Sequence, residues 1–168
     1  MNFDLSEEQQ IIQDSVQRFV LDNYDLEARQ AIVAGAEGFS KDHWSTMAEL
    51  GWLGLTIPPD NGGFGGNQID AMVVMEQFGK GLVLEPFYAS VVLGARAVVL
   101  GADDSLKNEI LPGVVDGSRQ LAFAYAEEQA RFDLHDVVTR ANAEGNGFVL
   151  NGHKSMVQNG GTADQFVV

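Results

Sequence analysis

Apolar residues recur at helical spacing near the start of the chain. Val16 lies four residues after Ile12, and Phe19 follows after three more, so these side chains share one face of a helix. Ser6, with Gln9 three residues later, has the spacing of a capping box, in which each residue hydrogen-bonds the backbone of the other. The pattern therefore predicts an amphipathic helix capped by Ser6.

Five further segments have a helical pattern of apolar positions. They span residues 26–33, 40–50, 69–78, 91–100 and 103–112. In the second of these, the predicted inner face consists of Trp44, Met47, Ala48 and Leu50. Residues 69–78 are apolar on most sides, which predicts burial all round. Pro112 and Gly113 are expected to end the last helix, because proline lacks the backbone N–H that a helix interior needs.

Residues 57–66 interrupt the helices with two prolines and four glycines. A dinucleotide-binding loop needs G-x-G-x-x-G spacing between a strand and a helix, and a P-loop ends in Gly-Lys-Ser/Thr. Neither pattern is present. The segment is therefore predicted to be a tight connecting loop.

The residue composition and the spacing of apolar positions change after Gly117. Short runs rich in β-branched and aromatic residues, separated by Asn-Gly turns, occupy residues 121–126, 136–141, 147–150, 153–157 and 165–168. They predict a β meander or part of a barrel. The expected fold class is α+β: an all-α helical bundle over residues 1–117, then an incomplete β domain over 118–168. Because the chain stops within an apolar strand, it is expected to be a fragment of a longer polypeptide.

Composition narrows the choice of partners. The chain has 24 acidic and 10 basic residues, for a net charge of −14, and no Lys/Arg stripe, so neither nucleic-acid nor membrane binding is predicted. It has no cysteine, which excludes disulfides and thiolate metal sites. Residues 1–6 lack a signal-peptide pattern, and the apolar stretches are too short to span a bilayer. A cytoplasmic location is expected.

No catalytic constellation emerges from residue spacing alone. His43, His135 and His153 lack metal-ligand spacing and are expected to be ordinary boundary residues, with His43 exposed in the first turn of its helix. Glu127 and Glu128 are adjacent, and neighbours on a strand point to opposite faces, so they are not expected to work as a dyad. No metal site is predicted.

Four landmarks, taken in order, resemble the acyl-CoA dehydrogenase family. The landmarks are Phe-Asp-Leu-Ser-Glu-Glu-Gln at 3–9, Trp-x-x-Met-Ala-Glu-Leu-Gly-Trp-Leu-Gly-Leu-x-Ile-Pro at 44–58 running into Gly62-Gly63, the strand and loop at 121–133, and Asn151-Gly152-x-Lys154 with Asn159-Gly160. Residues 81–86 and 121–133 are most similar to the small-subunit type of pimeloyl-CoA dehydrogenase. The resemblance covers nearly the whole chain, but only about half of a typical family member.

This resemblance implies a fold and a chemistry. A helical domain, a middle β-barrel domain and a carboxyl-terminal helical domain bind FAD between them, in a homo- or hetero-tetramer. The implied reaction removes the α proton of an acyl-CoA substrate with a Glu while hydride passes to flavin N5, and electrons then go to an electron-transfer flavoprotein. That Glu is expected beyond residue 168, so no catalytic residue is assigned in this chain.

The family motifs also imply cofactor contacts, with several departures. The implied FAD-binding residues are Phe123, Tyr125, Ala126, Arg131, Phe132, Met156 and Gln158. Most members have hydroxyl residues where this chain has Ala126, Phe132 and Gln158. Two outcomes remain open: an active enzyme with altered FAD contacts, or a non-catalytic, flavin-free subunit that serves a flavin-containing partner. An unrelated binding module is a third reading. From alternation alone, the large apolar residues of this set would instead fill a core.

Overall fold

The computed structural model describes residues 4–168; Phe3 of the first family landmark lies outside them. Helices in this part of the chain are α1 (Glu7–Asn23), α2 (Leu26–Ala34), α3 (Lys41–Glu49), α4 (Gln68–Gly81), a π-helix (Tyr88–Ala95), α5 (Arg96–Gly101) and α6 (Asp104–Val115), with two short 3-10 helices (Trp52–Gly54 and Pro59–Asn61) between α3 and α4. The strands are β1 (Leu121–Phe123), β2 (Arg140–Glu144), β3 (Gly147–Asn151) and β4 (Gln165–Val167). The predicted α+β class, helices first and strands after, is confirmed. Within residues 4–168, no helix is both long enough and apolar enough to cross a membrane.

Local side chains set the starts of the helices. The Ser6 hydroxyl accepts a hydrogen bond from the Gln9 backbone N–H at 3.2 Å, and the Gln9 side chain accepts one from the Ser6 N–H at 3.0 Å. Asp103 caps α6 in the same way, by accepting from the Leu106 N–H at 2.9 Å. These contacts satisfy N–H groups that have no partner within the helix.

The helical core forms where α1 and α4 pack together and meet the following turns. Val16 and Phe78 are buried there beside Trp52, whose ring meets that of Phe78 edge-on at 5.9 Å. A side chain at Gly81 would lie 2.3 Å from Val20, so glycine permits the close approach of the two helices. Burial of these apolar surfaces is the main stabilising contribution to the bundle.

Three details of the helical prediction were wrong. Leu50, predicted on the inner face of α3, is about half exposed, because α3 ends at Glu49 and the chain turns away. Ile69 and Met72 are likewise exposed on the outer side of α4. Helix α6 continues through Pro112 to Val115, since Leu111 and Val114 are both buried on its inner face. That burial offsets the hydrogen bond that proline cannot donate.

The π-helix is the surface on which β1 docks. The buried Ser90 hydroxyl accepts a hydrogen bond from the Leu121 N–H at 2.9 Å. Gly94 lies so close to the strand that a Cβ atom there would be 2.6 Å from the Leu121 Cβ. The first strand is therefore held directly against the helical part of the molecule.

The strands form two separate pairs, where the sequence predicted a β meander or part of a barrel. β1 pairs in parallel with β4, and β2 forms a separate antiparallel hairpin with β3. Residues 136–139, predicted as strand, instead precede β2, and the Val138 and Thr139 N–H groups donate hydrogen bonds to a carboxylate described below. Residues 153–157 are not a strand either, because Met156 adopts a left-handed backbone conformation with φ 52°, which strand geometry excludes.

Candidate functional site

Glu127 joins three segments that are distant in sequence. Its side chain is buried and accepts four hydrogen bonds. One oxygen accepts from the Lys154 ammonium at 2.8 Å and from the Thr139 N–H at 3.2 Å. The other accepts from the Gln129 amide at 2.8 Å and from the Val138 N–H at 2.9 Å. A buried carboxylate needs such partners to replace its lost hydration.

These partners lower the pKa of Glu127. The Lys154 ammonium is the largest cause of a pKa held well below the usual 4.5, and donation from Thr139 and Val138 adds to it. Because the folded-state pKa is lowered, the ionised carboxylate stabilises the fold at pH values above 4.5, and this stabilisation is lost as the pH falls below that value.

A pH series should show this dependence. The Glu127→Gln variant is expected to be less stable than the wild type at neutral pH, with a difference that shrinks as the pH falls toward about 3. Denaturant unfolding of both proteins across this range measures the difference. A gap that stays constant or widens on acidification would contradict the assignment.

Predicted cofactor residues from two segments lie side by side next to Glu127. The Ser155 N–H donates to the Ala126 carbonyl at 2.9 Å, and the Lys154 ammonium lies 3.5 Å from the Tyr125 carbonyl. The structure thus brings residues 125–126 beside the segment that carries Met156. The Met156 side chain is 92% exposed, so it fills no core in this chain.

The other predicted residues extend this surface. The Phe123 ring lies 5.4 Å from that of Tyr125, which is itself 44% exposed. Arg131 and Phe132 lie on the exposed loop that follows, and Phe132 is fully exposed. Arg131 has φ 49°, a conformation that favours glycine. The loop therefore carries a guanidinium in a backbone conformation that costs free energy in residues other than glycine.

A groove separates the helical part of the chain from the segment after Met156. It has a volume of about 480 Å³. Its walls include Phe39, Pro86 and Tyr88 on the helical side, and Gln158 and Thr162 on the other. Of the predicted cofactor residues, Gln158 alone lines this groove.

A buried polar cluster stands behind the helical wall of the groove. The Glu85 carboxylate accepts hydrogen bonds from the Tyr24 hydroxyl and, at 3.1 Å, from the Ser40 N–H. Burial and the contact with Glu85 raise the pKa of the Tyr24 hydroxyl above its usual value. His43, predicted to be exposed, instead has a side chain only 19% exposed, because it turns toward this cluster and lies 3.5 Å from Glu85.

The family model described as "Acyl-CoA dehydrogenase, N-terminal domain" matches residues 6–118, about two-thirds of the chain. This chain belongs to the acyl-CoA dehydrogenase family. The predicted family membership is confirmed, and with it the broad class of flavoprotein oxidoreductases. The narrower similarity to the pimeloyl-CoA type stays a prediction.

Individual acyl-CoA dehydrogenases are similar along nearly the whole chain. Mitochondrial isovaleryl-CoA dehydrogenase from Pongo abelii is 28% identical over 166 residues, covering 98% of this chain and 39% of the relative. The ChsE4–ChsE5 complex from Mycobacterium tuberculosis superposes with a TM-score of 0.89 at 26% identity, covering 100% of this chain and 45% of that chain. Butyryl-CoA dehydrogenase from Megasphaera elsdenii superposes with a TM-score of 0.85 at 25% identity, again covering 100% of this chain and 45% of that chain. The chain thus spans about two-fifths of its relatives' length.

Sequence reasoning missed the buried contact between Glu127 and Lys154. Alternation along the chain already placed Glu127 and Glu128 on opposite sides, and one side is the interior. The structure shows Glu127 buried and Glu128 with a side chain 80% exposed. The alternation was therefore a usable signal for one inward carboxylate.

Proposed function

We propose that residues 1–117 form the N-terminal helical domain, and residues 118–168 the start of the middle β domain, of a longer FAD-dependent acyl-CoA dehydrogenase. The observation that carries this proposal is the surface formed by Tyr125, Ala126 and Met156: the two large side chains are exposed, while hydrogen bonds from Lys154 and Ser155 hold the two segments together. Acyl-CoA is the proposed substrate, and α,β-dehydrogenation of its acyl chain the proposed reaction.

The chemistry of this surface suits a flavin. Tyr125 and Met156 offer apolar area for a planar ring system, and Met156 adds a polarisable sulfur. The Gln158 amide can donate and accept hydrogen bonds, and the Arg131 guanidinium can pair with a phosphate. Ala126 and Phe132 lack the hydroxyls that most members supply, so the proposed contacts are fewer than usual but not absent.

Bound FAD would supply a hydride acceptor, and the protein would supply position and shielding. Tyr125 and Met156 would shield the ring from water, and Gln158 would be available to hydrogen-bond the cofactor at the edge of the groove. The proton-abstracting Glu is proposed to lie in the remainder of the longer protein. Electron-transfer flavoprotein is the proposed electron acceptor, the proposed assembly is a tetramer, and the proposed location is the cytoplasm.

The test uses the full polypeptide encoded by the gene. Purified protein should carry FAD, and anaerobic addition of an acyl-CoA should bleach the visible absorbance of the flavin. A panel of chain lengths, including a dicarboxylyl thioester, identifies the preferred substrate. A protein that binds FAD but is never bleached by any of these thioesters would contradict the proposed reaction.

The missing hydroxyls favour a second candidate, a non-catalytic and possibly flavin-free partner in a heteromeric acyl-CoA dehydrogenase. Ala126 and Phe132 cannot make the hydrogen bonds that hydroxyl side chains would make, and each such bond contributes about 1 kcal/mol. Co-purification separates the candidates. A flavin-containing, active homo-tetramer supports the first, whereas a colourless protein that restores activity to another subunit supports the second.

Restoring one hydroxyl should strengthen FAD binding. The Phe132→Ser variant is expected to lower the Kd for FAD about tenfold, because a charge-assisted hydrogen bond to phosphate contributes more than a neutral one. Quenching of flavin fluorescence measures Kd. Leu134→Ser is the matched control, since Leu134 is exposed on the same loop, and it should leave Kd unchanged. Equal effects of both variants would contradict a phosphate contact at position 132.

A further inference from the structure

The hydrogen bonds of Glu127 converge from both sides of the proposed flavin surface. Thr139 and Val138 lead directly into β2, and Lys154 lies two residues before Met156. Gln129 lies in the loop between Ala126 and Arg131. One carboxylate therefore restrains the three segments that present or flank the predicted cofactor residues.

The packing around this carboxylate leaves little room for adjustment. A Cβ atom at Gly152 would lie 2.2 Å from the Thr139 hydroxyl oxygen, so the chain after β3 runs directly against the segment bound by Glu127. The Lys154 side chain is 14% exposed, so water has little access to its ion pair with Glu127. Breaking such a buried pair at one end leaves the other charge without compensation.

Glu127 does not itself belong to the exposed surface. The residues before it, Tyr125 and Ala126, are held by Lys154 and Ser155 through their carbonyl oxygens. Met156, the residue after Ser155, has a left-handed backbone conformation, which costs free energy in a non-glycine residue. The contacts of Lys154 and Ser155 hold the chain immediately before Met156 in place.

We infer that Glu127, paired with Lys154, is a positioning residue that fixes Tyr125, Ala126 and Met156 in the geometry that receives the flavin ring. The inference rests on the proposed function. Glu127 acts through backbone and side-chain neighbours and touches neither substrate nor cofactor. Loss of the Glu127 charge should loosen the segment of Tyr125 and Ala126 together with the segment of Met156, because the same carboxylate restrains both.

The test compares Glu127→Gln and Lys154→Met with Glu128→Gln, the exposed neighbour. Glu127→Gln should weaken FAD binding about 30-fold, and Glu128→Gln should stay within about twofold of the wild type. Flavin bound to Glu127→Gln at saturation should also show an altered visible absorption shape. Lys154→Met leaves the buried Glu127 carboxylate without its charged partner and should weaken FAD binding by a similar factor. Circular dichroism checks that both variants are folded before their affinities are compared.

Amide hydrogen exchange gives a readout that needs no cofactor. The Val138 and Thr139 amides should exchange faster in Glu127→Gln than in the wild type, and unchanged exchange would overturn the inference. Faster exchange with wild-type FAD affinity and spectrum would overturn the positioning role. A wild-type protein that binds no FAD would instead defeat the proposed function and the inference with it, so the two failures are distinguishable.

Discussion

Replacing Glu85 with alanine is expected to lower the free energy of unfolding by about 3 kcal/mol. The substitution removes the acceptor of the Tyr24 hydroxyl and of the Ser40 N–H, both of which lie in the helical interior. A buried donor that loses its partner keeps its desolvation cost, which no hydrogen bond then offsets. Chemical denaturation followed by circular dichroism measures the change.

Glu37→Ala is the matched control for this prediction. Glu37 also lines the groove, but it is exposed and forms an exposed ion pair with Lys41, four residues later in the chain. Surface pairs of this kind contribute little, so the control should stay within about 0.5 kcal/mol of the wild type. If Glu85→Ala were equally harmless, the cluster behind the groove would have no structural role.

The second large effect is expected at Gly94. A Gly94→Ala variant should lose about 2 kcal/mol of stability, because the added methyl group meets the Leu121 Cβ at 2.6 Å. This atom belongs to the stem of the side chain, so the clash is relieved only if β1 moves away from the π-helix. Thermal unfolding and the protease sensitivity of residues 118–168 measure both consequences.

Gly101→Ala provides the comparison for Gly94. Gly101 ends α5, and a Cβ atom there would have no neighbour within 4 Å. Alanine at a helical position restricts the unfolded chain, so this variant should be neutral or slightly more stable, by about 0.5 kcal/mol. A Gly94→Ala protein as stable as Gly101→Ala would show that β1 does not pack tightly on the π-helix.

The helices were predictable because local residues determine them. Ser6 and Asp103 cap helices whose first turns they contact directly, and the apolar spacing of Val16 and Phe19 places both in the core. Local patterns failed at Leu50, Ile69 and Met72, which are exposed, and at the helix end expected at Pro112. There the burial of Leu111 and Val114 outweighs the defect that proline introduces.

The strands were less predictable because their partners are distant in sequence. Residues 136–139 have strand composition, yet the N–H groups of Val138 and Thr139 donate to the Glu127 carboxylate, 11 and 12 residues earlier in the chain. Met156 looks like a strand residue but adopts a left-handed conformation next to Ser155, which bonds to Ala126. Composition reports strand propensity, and it does not reveal which donor finds which acceptor.

The sequence predicted which residues form the candidate site better than it predicted how they are arranged. The motif resemblance selected Tyr125, Ala126 and Met156, which the structure brings together, but residue spacing alone favoured a core role for the large side chains among them. Their exposure and the buried pair of Glu127 and Lys154 became visible only in three dimensions. A pairing across 27 residues leaves no periodic signal in a single sequence.

Hydrogen–deuterium exchange of the protein, with and without saturating FAD, tests the central claim most directly. Peptides that span residues 123–126 and 153–158 should become protected when FAD binds, because those segments form the proposed flavin surface. Helix α2, whose residues take no part in that surface, should be unchanged. FAD binding without protection of these two segments, or no FAD binding at all, would contradict the account.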